Sequence, residues 1–184
     1  MAWEIDGIHS NVSFAVRHMM VSTVRGRFNV VRGHLHIDEN QPADSWIEAE
    51  VDAASVDTHH EQRDGHLRSS DFFDVEKYPL ITFKSTHIEH IADQEYKVSG
   101  DFTMHGVTKA ISFNAEYSGQ SFMMGVQRTG LTAKTKINRK DFNLGWGSVV
   151  EAGQVAVSEW VTLEIDLEAT QPISVQETET VAAQ

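Results

Sequence analysis

Apolar and polar residues alternate along most of the chain. In one segment Val12, Phe14 and Val16 occupy every second position, and five later segments repeat this pattern. A period of two places successive side chains on opposite faces of a strand, so each segment has one buried and one solvent-facing side. The pattern predicts an all-β, antiparallel fold with about eight strands, near residues 10–19, 25–38, 45–56, 80–91, 95–104, 107–118, 121–138 and 156–168.

Turn residues separate several of these segments. His105 and Gly106 lie between two alternating runs, with glycine where a type I′ hairpin needs a positive φ. Turns are also predicted at residues 92–94 and 118–120. Between Val30 and Val31 the apolar positions change face, which predicts a bulge or a strong bend within one strand.

The alternation is interrupted at about residues 58–78, where a helical insertion is predicted. Thr58 and Glu61 match the T-x-x-E capping box that marks the start of a helix. A second, shorter helical turn is predicted to begin at Ser70 or Asp71 and to end before Pro79.

Eight antiparallel strands with one insertion predict a closed, lipocalin-like barrel. At this strand number the interior either fills with side chains or holds one small ligand. The inward positions mix phenylalanines with alanines and glycine, and this mixture fits both outcomes. We expect residues 1–168 to form a single domain and residues 169–184 to form a flexible acidic tail.

Composition narrows the range of functions. Fifteen Lys and Arg against 27 Asp and Glu give a formal net charge of −12, which argues against nucleic acid and anionic membrane surfaces as partners. The chain has no cysteine, so thiolate metal sites and cysteine nucleophiles are excluded. No segment has the composition of a membrane span or a signal peptide, so we expect no membrane insertion and a cytoplasmic location.

Four ordered blocks of sequence carry a family resemblance. They are WEID followed by HSNVSFAVRHMMVSTVRGRF, then RDGHLRSSDFFDVEKYPLITFKS, GDFTMHGVTKAISF and INRKDFNLGWG. Together they resemble the YceI-like family over residues 3–168. The resemblance implies an elongated barrel with a helix beside it, an apolar tunnel for an isoprenoid chain or similar lipid, and a homodimer. Many family members are periplasmic, in contrast to the location expected above.

The predicted function is therefore non-catalytic binding, transport or storage of an isoprenoid or other long-chain lipid, with a link to stress as a further expectation. No cofactor and no catalytic or metal-binding residue is expected. The ligand-binding residues are taken from the inward face of the strands, and they are Phe14, Val16, His18, Phe28, Ile47, Val51, Phe83, Val98, Phe102, Ile111, Phe113, Ile137 and Leu163.

Several alternatives remain open at this point. An enzyme or a metal- or haem-binding barrel would use His18 or the cluster of His59, His60 and His66, although Arg63 lies within that cluster and would repel a cation. His18 itself could orient a ligand head group or form a hydrogen bond in the core. A filled barrel would act only as an interaction module.

Two charged segments have both a structural and a functional interpretation. The insertion could gate ligand entry, but anchoring of the helix to the barrel is the favoured interpretation. Arg139 and Asp141 are interpreted as a pair that stabilises a turn, with ligand contact as the alternative.

Overall fold

The computed structural model describes residues 2–145 and 156–172. Over these residues the chain forms a short α-helix, α1 (Glu61–Arg68), and eleven strands. The strands are β1 (Trp3–Ile5), β2 (Asn11–His18), β3 (Ser22–Phe28), β4 (Val31–His36), β5 (Trp46–Asp52), β6 (Val56–Asp57), β7 (Leu80–Ala92), β8 (Glu95–Met104), β9 (Val107–Met123), β10 (Val126–Asn138) and β11 (Val157–Pro172).

These strands occupy eight positions in one closed barrel. β1 and β2 pair with the same edge of β11, and β4 and β3 continue the order on their other side. β5 pairs with β4 while β6 pairs with β3. Three of the eight positions are therefore each shared by two short strands: β1 with β2, β4 with β3, and β5 with β6. Every pairing is antiparallel. The predicted eight-stranded antiparallel barrel with a short helix is confirmed.

The predicted bend at Val30 and Val31 is also present. β3 ends at Phe28 and β4 begins at Val31, and the backbone N–H of Asn29 leaves the ladder to donate to the carbonyl of Ser55 at 3.1 Å. The His105–Gly106 hairpin turn has positive φ at both residues, 52° and 74°.

The turn predicted at residues 118–120 is wrong. β9 continues to Met123, and the chain reverses at Met124 and Gly125, whose φ values are 54° and 79°. Gly119 instead lies at an irregularity of the β9–β10 ladder, where its carbonyl accepts from the hydroxyl of Thr129 at 2.9 Å. The glycine forms a bulge within a long strand rather than ending the strand.

The last strand is longer than predicted. β11 does not end at residue 168, because Ala169 and Thr170 pair with Ile5 and Glu4 and close the barrel. Ala169 is fully enclosed, with 1% of its surface exposed. Residues 173–184, the remainder of the predicted tail, lie outside the described residues.

The helix begins two residues later than the capping box predicts. His60 is the N-cap, and its Nδ1 accepts from the backbone N–H of Arg63 at 3.2 Å. Thr58 is buried, and its hydroxyl donates to Asp64 rather than capping the helix. After α1 the chain makes hydrogen-bonded turns at residues 69–72 and 74–78 without forming a second helix.

The two ends of the barrel differ. The helix end carries α1, His18 and Arg139, and the far end carries Trp3, Leu35 and Val98, all three of which are buried. Among the described residues, no helix has the length and apolar character needed to cross a bilayer.

Candidate ligand-binding cavity

The barrel encloses a cavity of about 590 Å³ that extends from the helix end into the interior. This volume lies within the range of roughly 300–1,000 Å³ of small-molecule sites. Its wall is largely apolar, and side chains from β2, β5, β7, β9, β10 and β11 all reach it. The interior of the barrel is therefore not filled by its own side chains.

Twelve of the thirteen predicted residues line this cavity. They are Phe14, Val16, His18, Phe28, Ile47, Val51, Phe83, Phe102, Ile111, Phe113, Ile137 and Leu163. Val98 does not line this cavity. It is 2% exposed and lines a separate space of about 60 Å³ near the far end, because the inward face of β8 continues below the floor of the main cavity.

Sequence reasoning missed two groups of lining residues. The first group lies on the same inward faces as predicted residues and could have been found from the alternation alone: Val12, Leu131, Thr135, Ile165 and Leu167. The second group comes from the insertion and includes Leu67, Phe72 and Phe73. The ring of Phe73 packs edge-on against that of Phe28, 5.7 Å between centroids, so the insertion supplies one wall of the cavity.

Polar contacts tie α1 to the chain around the preceding strand, β6. Oδ1 of Asp64 accepts from both the backbone N–H and the hydroxyl of Thr58, at 2.9 and 2.5 Å. The guanidinium of Arg63 donates to the hydroxyl and the carbonyl of Thr58, at 2.7 and 2.9 Å. Arg68 donates to the carbonyls of Ala54 and Val56, at 2.8 and 2.9 Å. These bonds are the anchoring contacts that the sequence favoured over a gate.

Polar side chains collect at the helix end of the cavity. This polar rim consists of His18, His60, Gln62, Arg63, His66 and Arg139. Since the deeper wall is apolar, the cavity has one polar and one apolar end. Such an arrangement suits an amphiphile whose head group faces the rim.

Arg139 is the most deeply buried member of the rim, with 4% of its surface exposed. Its guanidinium donates to the carbonyls of Ser158 and Val157, at 2.8 and 3.0 Å, and to that of Leu144. Burial lowers the pKa of Arg139 from its ordinary value, while the charge of Glu159 opposes the shift. Arg139 thus joins the end of β10 to the start of β11, rather than forming the predicted pair with Asp141.

The histidines of the metal alternative are engaged separately. His59 is exposed, and its Nδ1 lies 3.4 Å from a carboxylate oxygen of Asp57. His60 caps α1, and Nε2 of His66 lies 3.0 Å from Oδ2 of Asp71. These three histidines do not converge on one point, and no observation favours a metal or haem there.

Across residues 2–145 and 156–172, one set of three side chains has metal-ligating spacing: Asp6, His9 and Glu168. Nδ1 of His9 donates to Oδ2 of Asp6 at 2.8 Å, and the guanidinium of Arg128 contacts both carboxylates. The arginine supplies the positive charge that a metal ion would otherwise bring. The set is an ion-pair network that joins the end of β1 to β10 and β11, in agreement with the hydrogen bond of Ser10 to Glu168 at 3.1 Å.

A closed eight-stranded antiparallel barrel with one apolar cavity and a short helix at its end defines the lipocalin-like class of binding proteins. The sequence model of the YceI-like domain matches residues 3–169. The chain belongs to the YceI-like family.

Known proteins agree with this assignment. A UPF0312 protein of Vibrio parahaemolyticus is 40% identical over 139 residues, which cover 75% of this chain and 74% of the relative. The crystal structure of BcnA from Burkholderia cenocepacia has a TM-score of 0.78 at 23% identity and covers 90% of this chain and 99% of BcnA. A polyisoprenoid-binding domain from Saccharophagus degradans has a TM-score of 0.69 at 19% identity, with 92% and 98% covered. At these identities the two structures are similar to this chain in fold.

Proposed function

We propose that this protein binds one isoprenoid or other long-chain lipid in the barrel and shelters it from water, without catalysis. The observation that carries the proposal is the apolar cavity of about 590 Å³ with a polar rim at one end. The fold shared with a polyisoprenoid-binding domain supports the choice of ligand class.

Burial of the hydrocarbon chain would supply the affinity. Each buried CH₂ contributes roughly 0.8 kcal/mol, so a chain that reaches from the rim to Leu131 and Leu167 at the floor gains several times that amount before entropic costs. Valine, isoleucine, leucine and phenylalanine side chains make up most of the wall between these points. Phe83 and Phe113 form a tilted aromatic pair with ring centroids 5.4 Å apart.

The head group of the ligand would lie at the polar rim. Arg63 and Arg139 bring two guanidinium groups to this end of the cavity, and both already donate to protein oxygens. A head group with hydrogen-bond acceptors, such as a quinone or an alcohol, therefore fits the rim. His18, the member of the rim at the end of β2, would contact the head group.

Native mass spectrometry of the purified protein, followed by organic extraction, tests the proposal. We expect a discrete lipid mass on most molecules, or uptake of an isoprenoid quinone after incubation. A protein that stays free of lipid under both conditions would overturn the proposal. The homodimer implied by the family stays a prediction, which light scattering during size-exclusion chromatography would check.

A further inference from the structure

The hairpin between β2 and β3 ends in exposed apolar side chains. We call residues 19–21 the β2–β3 tip. Met19, Met20 and Val21 are 42%, 66% and 82% exposed. The backbone N–H of Val21 donates to the carbonyl of His18 at 3.1 Å and closes the turn.

The backbone of the tip has positive φ values at two residues, where methionine is an unusual choice. Met19 and Met20 have φ values of 52° and 57°, a conformation that favours asparagine and glycine in hairpin turns. Methionine is disfavoured there and gains little packing in return, because the side chains point into water. The requirements of the fold therefore do not explain an apolar tip at this position.

A large exposed aromatic side chain lies on the strand that pairs with β2. Trp160 is 56% exposed and sits in the β11 irregularity between the pairs Val157–His18 and Val161–Val16. Tryptophan is well suited to the interface between water and lipid, where its ring is buried and its N–H remains hydrated. We call the tip and Trp160, which are carried by the paired strands β2 and β11, the apolar projection.

The charge near this projection has the opposite sign to that of the whole chain. The two strands that carry the tip, β2 and β3, contain Arg17, Arg25 and Arg27 and no Asp or Glu, in a chain of formal net charge −12. Arg17 lies at the base of the tip, where its guanidinium donates to the carbonyl of Met20 at 2.8 Å. The acidic neighbour of Trp160, Glu159, is paired with Lys140 at 2.5 Å. The net charge predicts repulsion from an anionic surface, but the two strands that carry the tip have only basic charged residues.

The position of the tip connects it to the cavity. His18 lines the cavity and is followed directly by Met19. We propose that the β2–β3 tip and Trp160 dock on the surface of a lipid bilayer with anionic head groups. Docking brings the rim of the cavity to the bilayer from which a lipid enters or to which it returns, so the inference rests on the proposed function. The tip enters the bilayer only to a shallow depth, with its side chains and not its backbone.

The far end of the barrel provides a matched control. Phe122, Met123 and Met124, at the turn between β9 and β10, are 54%, 64% and 94% exposed. Their apolar character resembles that of the β2–β3 tip, but they lie at the opposite end from the rim, where Tyr117 and Gln120 of β9 donate to Glu39. Substitution at this turn removes comparable apolar surface without touching the proposed docking face.

Flotation with vesicles tests the proposal. The full chain is mixed with vesicles of equal parts phosphatidylcholine and phosphatidylglycerol, and the bound fraction is compared for wild type, the double variant Met20→Ser/Val21→Ser, and the control Met123→Ser/Met124→Ser. We expect the tip variant to bind on the order of tenfold more weakly, from the loss of inserted apolar surface, and the control to bind like wild type. Binding that the control abolishes and the tip variant keeps would overturn the assignment.

A second readout separates this inference from the proposed function. Binding of farnesol, a short isoprenoid alcohol, is measured without vesicles for the same three proteins. A tip variant that takes up farnesol like wild type but no longer floats supports docking. If wild type takes up farnesol and does not float, docking is overturned and the lipid-binding function stands. If wild type floats without taking up farnesol, docking is supported and the result counts against the proposed function.

Sedimentation tests whether the tip instead joins two copies of the chain. If the tip variant converts a dimer to a monomer, the tip is an interface between two copies and docking is overturned.

Discussion

Phe14 and Gly26 lie directly opposite each other on β2 and β3, and the ring of Phe14 covers the glycine. A Cβ at position 26 would lie 2.5 Å from Cζ of Phe14 and 2.8 Å from Cγ2 of Thr58. The missing side chain lets the ring lie flat against the barrel wall while its other face lines the cavity. The alternating pattern of β2 shows that Phe14 points inward, but only its contact with Gly26 explains how the cavity stays open beside so large a residue.

Replacement of Gly26 by alanine should therefore destabilise the barrel. The new methyl group must displace the Phe14 ring toward the cavity or push back Thr58, at a cost of about 1–3 kcal/mol typical of overpacking. Urea unfolding followed by circular dichroism measures the free energy. Gly65→Ala is the control: Gly65 lies within α1, and no atom beyond the adjoining helical backbone lies within 4 Å of the point that a Cβ would occupy there, so alanine should stabilise by about 0.5–1 kcal/mol. Equal effects of the two substitutions would contradict the packing argument.

Thr58→Val should loosen the helical insertion. Valine keeps the shape of threonine but removes the hydroxyl that donates to Asp64 and accepts from Arg63. Each of two charged side chains then keeps its bond to the backbone of residue 58 but loses its bond to the hydroxyl, and we expect a loss of about 1–3 kcal/mol in the free energy of unfolding. Thr58→Ser, which keeps the hydroxyl, should recover most of it. A valine variant as stable as wild type would show that these bonds do not anchor the insertion.

Neighbouring positions on β9 allow the cavity to be blocked selectively. Ile111 lines the cavity, while Ala110 is exposed on the outer face of the same strand. Ile111→Trp should fill part of the cavity and reduce the lipid-bound fraction on the order of tenfold. The indole takes space from the hydrocarbon chain of the ligand, and each CH₂ group of the ligand that is no longer buried costs roughly 0.8 kcal/mol. Ala110→Trp should bind like wild type. Native mass spectrometry gives the bound fraction, and thermal unfolding verifies that both variants are folded.

The ion pair at the end of β1 should appear in the pH dependence of stability. The hydrogen bond to Asp6, together with the charge of that carboxylate, raises the pKa of His9 above its ordinary 6.5, and the bond from His9 in turn lowers the pKa of the Asp6 carboxyl below 3.8. Protonated His9 is thus favoured in the folded state, so its contribution is complete below pH 6.5 and is lost as the pH rises through the raised value. The contribution of Asp6 is present above pH 3.8 and is lost as the pH falls through the lowered value.

Substitution of Asp6 by asparagine tests this reasoning. We expect the NMR titration of the His9 ring to shift toward lower pH, and the stability difference from wild type to be largest in the range where Asp6 is ionised and His9 is protonated. An unchanged His9 titration would contradict the assigned pairing.

The sequence alone determined most of the long strands and which of their faces point inward. A period of two is a local property of the chain, so β2, β8 and β11 could be placed without knowledge of their neighbours. Of the thirteen residues named from this pattern, twelve line the cavity. Even the break between β3 and β4 was visible, because the apolar residues change face there.

Only the tertiary structure decided how polar groups are paired and where the cavity ends. The spacing of Thr58 and Glu61 is that of a helix cap. In the fold, however, the backbone N–H of Thr58 donates to the carboxylate of Asp64, a residue of α1. Gly119 has the composition of a turn, yet β10 continues to pair with β9 beyond it. The separation of Val98 from the main cavity depends on side chains that several strands bring together. The barrel closes because β1 pairs with residues more than 160 positions away. Such contacts depend on distances between remote segments, which a local pattern does not contain.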